Sequence, residues 1–145
     1  MTKIEKIAKL VEFTLTAPKE KNLVVNLGEL KPHEVVAIEK TTGIDLTGYI
    51  HVIDRFAIGH TLKVHGDEKE ESLRGQIAVT PADFKKIPRI LKSDNIIYQG
   101  KNSKGLDCIL YEAVIGSIFY YVVEVRTKRK HLAMATMYKR KPRKK

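Results

Sequence analysis

The last third of the chain alternates apolar and polar residues with a period of two, and this pattern constrains the fold most. Four such segments follow one another between Asn95 and Arg140: NIIYQGK, GLDCILYEAV, SIFYYVVEVR and HLAMATMYKR. A period of two is typical of β-strands. The connections NSKG, Ile-Gly and TKRK are short, which favours antiparallel neighbours. The segments therefore predict a four-stranded antiparallel meander.

The earlier part of the chain carries the three- and four-residue spacing of amphipathic helices. This spacing predicts a helix over residues 3–15, and PHEVVAIEKTTG predicts another that starts at its proline and ends at its glycine. The β-branched run NLVVNL predicts a short strand between them, and TPADFKKIP predicts a short helix capped by its threonine. The predicted fold class is therefore α+β, with N-terminal helices and a short strand packed on the C-terminal four-stranded antiparallel sheet.

The composition is that of a globular domain that folds in water. Hydrophobic residues make up 43% of the 145 residues and charged residues 30%, and one compact core is expected at this length. No apolar run approaches the ~20 residues of a membrane span, and the N-terminus lacks the apolar stretch of a secretory signal. A cytoplasmic protein is expected. Its single cysteine, Cys108, is expected to be a buried thiol rather than a nucleophile.

Positive charge is concentrated at the C-terminal end. The formal net charge is +10, and the segment from Arg126 to Lys145 contains ten Lys or Arg residues and no Asp or Glu. The preceding residues carry 17 basic and 17 acidic side chains and are neutral overall. Localised positive charge indicates an anionic partner, with nucleic acid as the first candidate. The alternative is a tail that only keeps the protein soluble.

The segment from Tyr49 to Gly66 holds three of the five histidines and predicts a helix. Alternatively, Asp54 is the helix N-cap and the residues before it are extended. His60 falls among apolar helix positions, and His65 directly precedes the glycine that would cap the helix. These two histidines are about 140° apart around a helix, so they are not expected to point into one cleft. His51 precedes the capped start and is not a site candidate.

The third predicted strand has one wholly apolar face, and its other face, with Ile118, Tyr120 and Val122, also carries two charged residues at its end. The apolar face, which is the natural core side, carries Phe119, Tyr121, Val123 and Val125. Glu124 and Arg126 project from the opposite face. A carboxylate, a guanidinium and an imidazole can cleave RNA without a metal, because they can take up the 2′-hydroxyl proton, stabilise the phosphorane charge and protonate the leaving oxygen. The sequence supplies these groups as Glu124, Arg126 and either His60 or His65.

Each of these residues also has a structural interpretation. Glu and Arg two apart on a strand often form a surface pair. A histidine on an apolar helix face is often a hydrogen-bonded core residue, and one at a helix end can serve as a cap. A metal site is not favoured, because zinc-binding helices place ligands four residues apart and the chain has no HExxH. No cofactor is expected, because the phosphate-binding GxxxxGK and GxGxxG motifs are absent, as is GxSxG.

Four stretches resemble a known family when taken in order: GYIHVIDRFAIGHTLKVHG, RGQIAVTPADFKKIP, IIYQGKNSKGLDCILYE and FYYVVEVRTKRKHLAMATMYKRK. They resemble the phage and prophage nuclease domains of the barnase–EndoU–colicin–RelE-like superfamily. The resemblance implies helices followed by a four-stranded antiparallel sheet, and RNA cleavage without a metal. The corresponding division of the chain is a helical extension at 1–21, a nuclease domain at 22–140 and a basic tail at 141–145.

The resemblance also implies site residues. The helix histidines of the family correspond to His60 and His65, its strand-end basic residue to Arg126, and its last-strand hydroxyl to Thr136. With Glu124 added from the strand alternation, the predicted catalytic set is His60, His65, Glu124, Arg126 and Thr136. The predicted RNA- and phosphate-binding set combines further matching positions with the basic C-terminal end: Arg74, Gln76, Lys101, Lys128, Arg129, Lys130 and Lys139.

The leading hypothesis is a metal-independent endoribonuclease that cleaves RNA by 2′-hydroxyl transesterification, acting as a toxin or phage effector. His60 or His65 would be the acid or base, Arg126 and Lys101 would hold the phosphate, and Thr136 would orient it. The alternative is a non-catalytic phage or prophage accessory module that binds nucleic acid or a capsid partner through its basic C-terminal end. The expected partners are RNA and an antitoxin, an immunity protein or a phage head protein, with no membrane.

Overall fold

The computed structural model describes residues 2–16 and 23–142. The helices are α1 (Lys3–Thr16), α2 (Pro32–Thr42), α3 (Arg55–His65), α4 (Glu68–Leu73), a 3-10 helix (Pro81–Lys86) and α5 (Ile87–Ile90). The strands are β1 (Val24–Glu29), β2 (Ile50–Asp54), β3 (Asn95–Lys101), β4 (Asp107–Ile115), β5 (Ile118–Arg126) and β6 (His131–Arg140). None of the helices in these ranges is long and apolar enough to cross a membrane. The predicted α+β class is confirmed. The predicted boundary after residue 21 and the last three residues of the predicted basic tail lie outside the described ranges.

The sheet has six strands in the order β1-β2-β6-β5-β4-β3. Strands β3 to β6 form the predicted antiparallel meander. Strand β2 joins it in parallel with β6, and β1 completes that edge antiparallel to β2. The prediction of a four-stranded, purely antiparallel sheet was therefore wrong. The first cause is that β2 lies inside a segment whose apolar spacing also fits a helix, so this strand was not predicted. The second cause follows, because β1 pairs with β2 and could not be placed in the sheet without it.

A capped helix start divides that segment, as the alternative interpretation predicted. The Asp54 carboxylate accepts a hydrogen bond from the Ala57 N–H at 2.9 Å, and the Asp54 backbone is extended. The residues up to Asp54 therefore form β2, and α3 begins at Arg55. Because β2 pairs only with the first residues of β6, α3 continues alongside the remainder of β6 and contacts it.

The core lies between the helices and one face of the sheet. Fully buried side chains come from helices and strands alike and include Ile7, Ile53, Ile58, Phe84, Ile87, Tyr111 and Met137. Helix α1 belongs to this core, because Ile7 and Leu10 are only 0% and 2% exposed. The residues of the predicted N-terminal extension that the structure describes therefore pack with the rest of the chain.

The face of β5 that meets this core is the one opposite to the prediction. Tyr120 and Val122 belong to the core cluster, and Glu124 alternates with them and is 1% exposed. Strand β5 is apolar on both faces, so the alternation alone did not show which face the helices cover. The assignment of Glu124 to an accessible polar face was therefore wrong.

The opposite side of the sheet, here named the open face, carries the residues that the sequence had assigned to the core. Tyr121 and Val123 lie on it, and both are absent from the core cluster. The strand register places Ile97 and Val114 on the same face, where they are 42% and 56% exposed. The open face is thus a partly apolar sheet surface next to the end of α3.

Candidate functional site

His65 lies at the end of α3, where a buried carboxylate fixes its imidazole. Its Nδ1 lies 3.1 Å from Glu71 Oε2, and Glu71 is 0% exposed. The other carboxylate oxygen, Oε1, accepts a hydrogen bond from the Arg74 guanidinium. The described residues offer no hydrogen-bond partner to His65 Nε2. One carboxylate therefore positions both a histidine with a free nitrogen and an arginine.

Helix α4 supplies the partner of His65, and the residue that follows the helix supplies the arginine. The polar stretch after Gly66, DEKEESLRGQIAV, predicts a functional loop when it is taken alone. Instead, Asp67 caps a short helix there by accepting a hydrogen bond from the Glu70 N–H at 2.9 Å. Glu71 follows in the first turn of α4, and Arg74 directly follows its last residue. The chain turns back at this point, and the Gln76 N–H donates to the Glu71 carbonyl at 2.8 Å. The loop prediction missed α4 because six residues are too few for a visible apolar period.

The match between helix and strand repeats brings His65 to the open face. Four helical residues rise ~6 Å, which is close to the ~6.6 Å that separates alternate residues of a strand. Thr61 and His65 therefore meet Thr136 and Tyr138 in turn. The Thr61 and Thr136 hydroxyl oxygens lie 3.5 Å apart, and the His65 and Tyr138 ring centres lie 5.6 Å apart. The predicted site residues His65 and Thr136 thus belong to one region.

Aromatic rings continue from His65 across the open face. Tyr138 and Tyr121 are cross-strand partners whose rings stack at 4.7 Å with a 15° angle between their planes. Next to them, Arg140 pairs with Phe119 and places its guanidinium 4.7 Å from that ring centre and 5.5 Å from the centre of Tyr121. We name Tyr138, Tyr121, Phe119 and Arg140 the aromatic strip.

The two tyrosine hydroxyls of the aromatic strip stay protonated at neutral pH. Burial and the Glu112 carboxylate raise the pKa of Tyr121 to about 12, although Arg140 opposes the shift. Burial also raises the pKa of Tyr138, with Arg140 again opposing. A protonated phenol beside an imidazole can donate a proton or a hydrogen bond.

The structure separates His60 from this region. His60 is exposed on α3, whereas Thr61, four residues before His65, is fully buried. The apolar setting expected for His60 is therefore wrong, because the apolar stripe of α3 faces the core on the other side of the helix. The 140° between the two histidines is enough to keep His60 away from the open face.

Arg126 and Lys101 form a separate basic cluster around Asp107. The Arg126 guanidinium donates to the Tyr49 hydroxyl at 3.0 Å and to the Asp107 carboxylate at 3.3 Å. Lys101 Nζ lies 3.3 Å from the same carboxylate. Arg126 is five residues from Tyr121 along β5, or about 17 Å at ~3.4 Å per residue. The expected meeting of Arg126 with a helix histidine is therefore not found.

The remaining basic candidates also lie apart from His65. Lys128, Arg129 and Lys130 are exposed in the turn between β5 and β6, at the same end of β5 as Arg126. Lys139 is a core-side residue whose ammonium lies 2.8 Å from Asp83, and its side chain is only 13% exposed. The uncharged candidate Gln76 lies closer to His65, since its N–H donates to the Glu71 carbonyl. It is half-buried, and its Oε1 finds no hydrogen-bond partner in the described part of the chain.

Glu124 belongs to a buried cluster that includes His51, a histidine that the sequence did not indicate as a site residue. His51 Nδ1 lies 2.8 Å from the Glu124 carboxylate, and Nε2 lies 2.8 Å from Glu34 Oε1. His51 is 4% exposed, and both glutamates are 1% exposed. Tyr111 stands edge-on to the imidazole at 5.7 Å. This cluster joins α2, β2 and β5, and its burial leaves no room for a large substrate.

The cluster favours a protonated His51. Burial opposes the charged imidazole, but the Glu124 and Glu34 carboxylates outweigh it and raise the pKa of His51 from 6.5 to about 10. Burial raises the pKa of Glu124, with His51 only partly offsetting it. For Glu34, burial is outweighed by hydrogen bonds from His51 and the Lys31 backbone, and the pKa is lowered. A group whose pKa rises on folding stabilises the protein below its unfolded pKa and loses that contribution as the pH climbs to the folded value.

The free energy of unfolding is therefore expected to fall between about pH 6.5 and pH 10. The slope from His51 alone is at most ~1.4 kcal/mol per pH unit. Urea denaturation at intervals across this range measures it, and His51→Gln should flatten the dependence. A wild-type stability that stays constant or rises across the range would contradict the assignment of a protonated His51.

The chemistry available at the His65 region is proton transfer next to an anion-binding group. A carboxylate that holds one imidazole nitrogen fixes the ring and its tautomer and leaves the other nitrogen for acid–base work. Arg74 is a permanent cation suited to phosphate. Within residues 2–16 and 23–142, no group of three or more His, Cys, Asp or Glu side chains could hold a metal ion.

Sequence reasoning missed several residues of this region. Glu71 was hidden in the acidic run DEKEES, where the capping Asp67 was the one available signal of a helix. Tyr121 was assigned to the core, and Tyr138 was left unassigned because the face of β6 depended on the strand register. His51 was set aside for its place before the helix, although the two glutamates that hold it are 17 and 73 residues away.

Comparison with known proteins agrees with the resemblance noted from the sequence. The family model described as phage-Barnase-EndoU-ColicinE5/D-RelE like nuclease3 matches residues 31–145, which include His65, α4 and the whole aromatic strip. Comparisons with curated proteins and with solved structures found no match. The match covers most of the chain, and the chain therefore belongs to the phage-Barnase-EndoU-ColicinE5/D-RelE like nuclease3 family.

Proposed function

We propose that this member of a nuclease family is a metal-independent endoribonuclease whose active centre is His65 with Glu71 and Arg74. One observation carries the proposal: a fully buried carboxylate binds His65 Nδ1 and the Arg74 guanidinium together, beside an open sheet face. Buried carboxylates are costly unless paired, and this pairing leaves His65 Nε2 free. The toxin or phage-effector role expected from the sequence depends on this activity.

In the proposed reaction, His65 Nε2 takes the proton of a ribose 2′-hydroxyl. The 2′-oxygen then attacks the adjacent phosphorus, the bond from phosphorus to the 5′-oxygen breaks, and a 2′,3′-cyclic phosphate remains. Arg74 has a side chain 42% exposed, and it neutralises the charge that grows on the phosphate oxygens. Thr136 orients the phosphate from the neighbouring strand.

The leaving 5′-oxygen needs a proton, and Tyr138 is the nearest donor candidate. Its ring lies next to His65, and its hydroxyl is protonated at neutral pH, because the pKa of tyrosine is about 10 and burial raises it here. His65 and Tyr138 then act as base and acid in one turnover. Arg126 and Lys101 lie too far away to contact the same phosphate, so a binding role for them applies to another part of a long RNA.

The experiment is incubation of the purified chain with RNA in the presence of EDTA. We expect cleavage to continue, with products ending in a 2′,3′-cyclic phosphate. A matched strand with 2′-deoxyribose at every position should stay intact, because the proposed nucleophile is missing. Cleavage that requires added Mg²⁺, or equal cleavage of the deoxy strand, would contradict the mechanism. Binding without any cleavage would favour the accessory-module alternative.

A further inference from the structure

The aromatic strip has no role in the proton transfers beyond the Tyr138 hydroxyl. It nevertheless extends from His65 over two strands of the open face. Phe119, Tyr138 and Arg140 are half-buried there, whereas Tyr121 is only 5% exposed and lies stacked under Tyr138. Aromatic rings that stand on a sheet surface without a covering helix offer apolar faces to a ligand. Nucleobases stack on such rings whatever their sequence, since every base has a π-face.

Charge is unevenly distributed across this surface. On the β6 side, Arg140 contacts the rings of the strip, and Arg74 lies beyond His65. On the β4 side, Glu112 is the cross-strand neighbour of Tyr121 and accepts a hydrogen bond from Asn95 at 2.5 Å. A phosphate backbone is attracted to the first side and repelled by the carboxylate on the second. The backbone is therefore favoured along β6, with the bases pointing over β5.

We propose that the aromatic strip binds unpaired nucleotides, so that the substrate of this site is single-stranded RNA. In a duplex the bases are stacked and paired inside the helix, and their faces cannot reach protein rings. An unpaired base can instead lie against the half-buried rings of Phe119 and Tyr138 while Arg140 holds a neighbouring phosphate, with Tyr121 supporting Tyr138 from below. The assignment of RNA as the substrate rests on the proposed function, whereas the preference for unpaired nucleotides rests on the strip alone.

The test uses the full chain with His65→Ala, so that binding is measured without cleavage. Fluorescence anisotropy compares a labelled single-stranded RNA, its duplex and a single-stranded DNA of the same sequence. We expect the duplex to bind at least ~10-fold more weakly than the single strand, and the DNA strand to bind within a few-fold of the RNA. Equal or tighter binding of the duplex would overturn the proposal.

Matched variants locate the binding. Phe119→Ala should weaken single-strand binding about 5- to 150-fold, whereas Phe56→Ala, which removes the same ring from a position 67% exposed on α3, should not. Arg140→Lys keeps the charge but loses the planar stacking group, and it should weaken binding more than Lys104→Gln in the exposed turn before β4. Circular dichroism establishes that each variant is folded. Equal effects at Phe119 and Phe56 would overturn the strip as the binding surface.

The two proposals fail separately. If the wild type cleaves RNA but its inactive form binds duplex as well as single strand, the ribonuclease stands and the strip does not select unpaired nucleotides. If the wild type cleaves nothing but single strands still bind through Phe119, the ribonuclease assignment fails and the single-strand site stands.

Discussion

A His65→Ala variant is expected to cleave RNA about 10²- to 10⁴-fold more slowly than the wild type, because general acid–base catalysis typically contributes that much. The imidazole is the one group of the site with a nitrogen free to take a proton, and Ala removes it. Glu71 keeps its bond to Arg74, so the region retains its shape. The measurement is the initial rate of cleavage of a labelled RNA in EDTA.

The matched control is His60→Ala, which makes the same change five residues earlier on the same helix. His60 is exposed and lies about 140° from His65 around α3, so its loss should leave the rate within a few-fold of the wild type. RNA binding by His65→Ala, followed by anisotropy, should remain close to normal. Equal loss of activity in both variants, or an active His65→Ala, would remove His65 from the proposed mechanism.

A His51→Ala variant is expected to lose about 3–5 kcal/mol of stability at neutral pH, because it leaves two buried carboxylates without their shared partner. Glu34 and Glu124 are each 1% exposed, so bulk water does not solvate these carboxylates in the folded protein. The loss corresponds to a decrease of about 6–20 °C in Tm for a chain of this size. Thermal and urea denaturation followed by circular dichroism measure both quantities.

Two further variants separate the charge effect from the loss of packing. His33→Ala is the surface control, because the His33 side chain is 40% exposed and its one ion pair, from Nε2 to Asp94 Oδ1 at 3.7 Å, lies at the surface of the described structure. This variant should change stability by less than ~1 kcal/mol. Adding Glu124→Gln to His51→Ala should restore part of the lost stability, because one unpaired buried charge is removed. A double variant no more stable than His51→Ala would show that the cost is packing alone.

Local sequence pattern was sufficient for the elements that depend only on their own residues. The meander from Asn95 onward, the helix from Pro32 to Gly43 and the first helix follow from apolar period, proline and glycine positions, and short connections. Gly43 ends α2 in the left-handed conformation with φ 76°, as its place after the last apolar position indicated. The choice of Asp54 as N-cap was also available from the sequence, as one of two alternatives.

The number of strands and the covered face depended on partners distant in the chain. The segment from Ile50 to Asp54 is a strand because β1 and β6 hydrogen-bond to it on either side, and its own spacing also fits a helix. Glu124 can lie in the core because His51 meets it there. When its partner is not known, a glutamate is expected at the surface, since an unpaired buried charge is unfavourable.

By itself, the sequence determined the α+β class, the C-terminal meander, the family and a short set of residues that includes His65 and Thr136. Only the tertiary structure decided that His65 meets Glu71, Arg74 and Tyr138, that His60 and Arg126 lie elsewhere, and that Glu124 is internal. The physical reason is that alternation and helical period fix which residues share a face of one element. Which face is buried, and which side chains meet across elements, depends on packing and charge pairing between segments far apart in sequence.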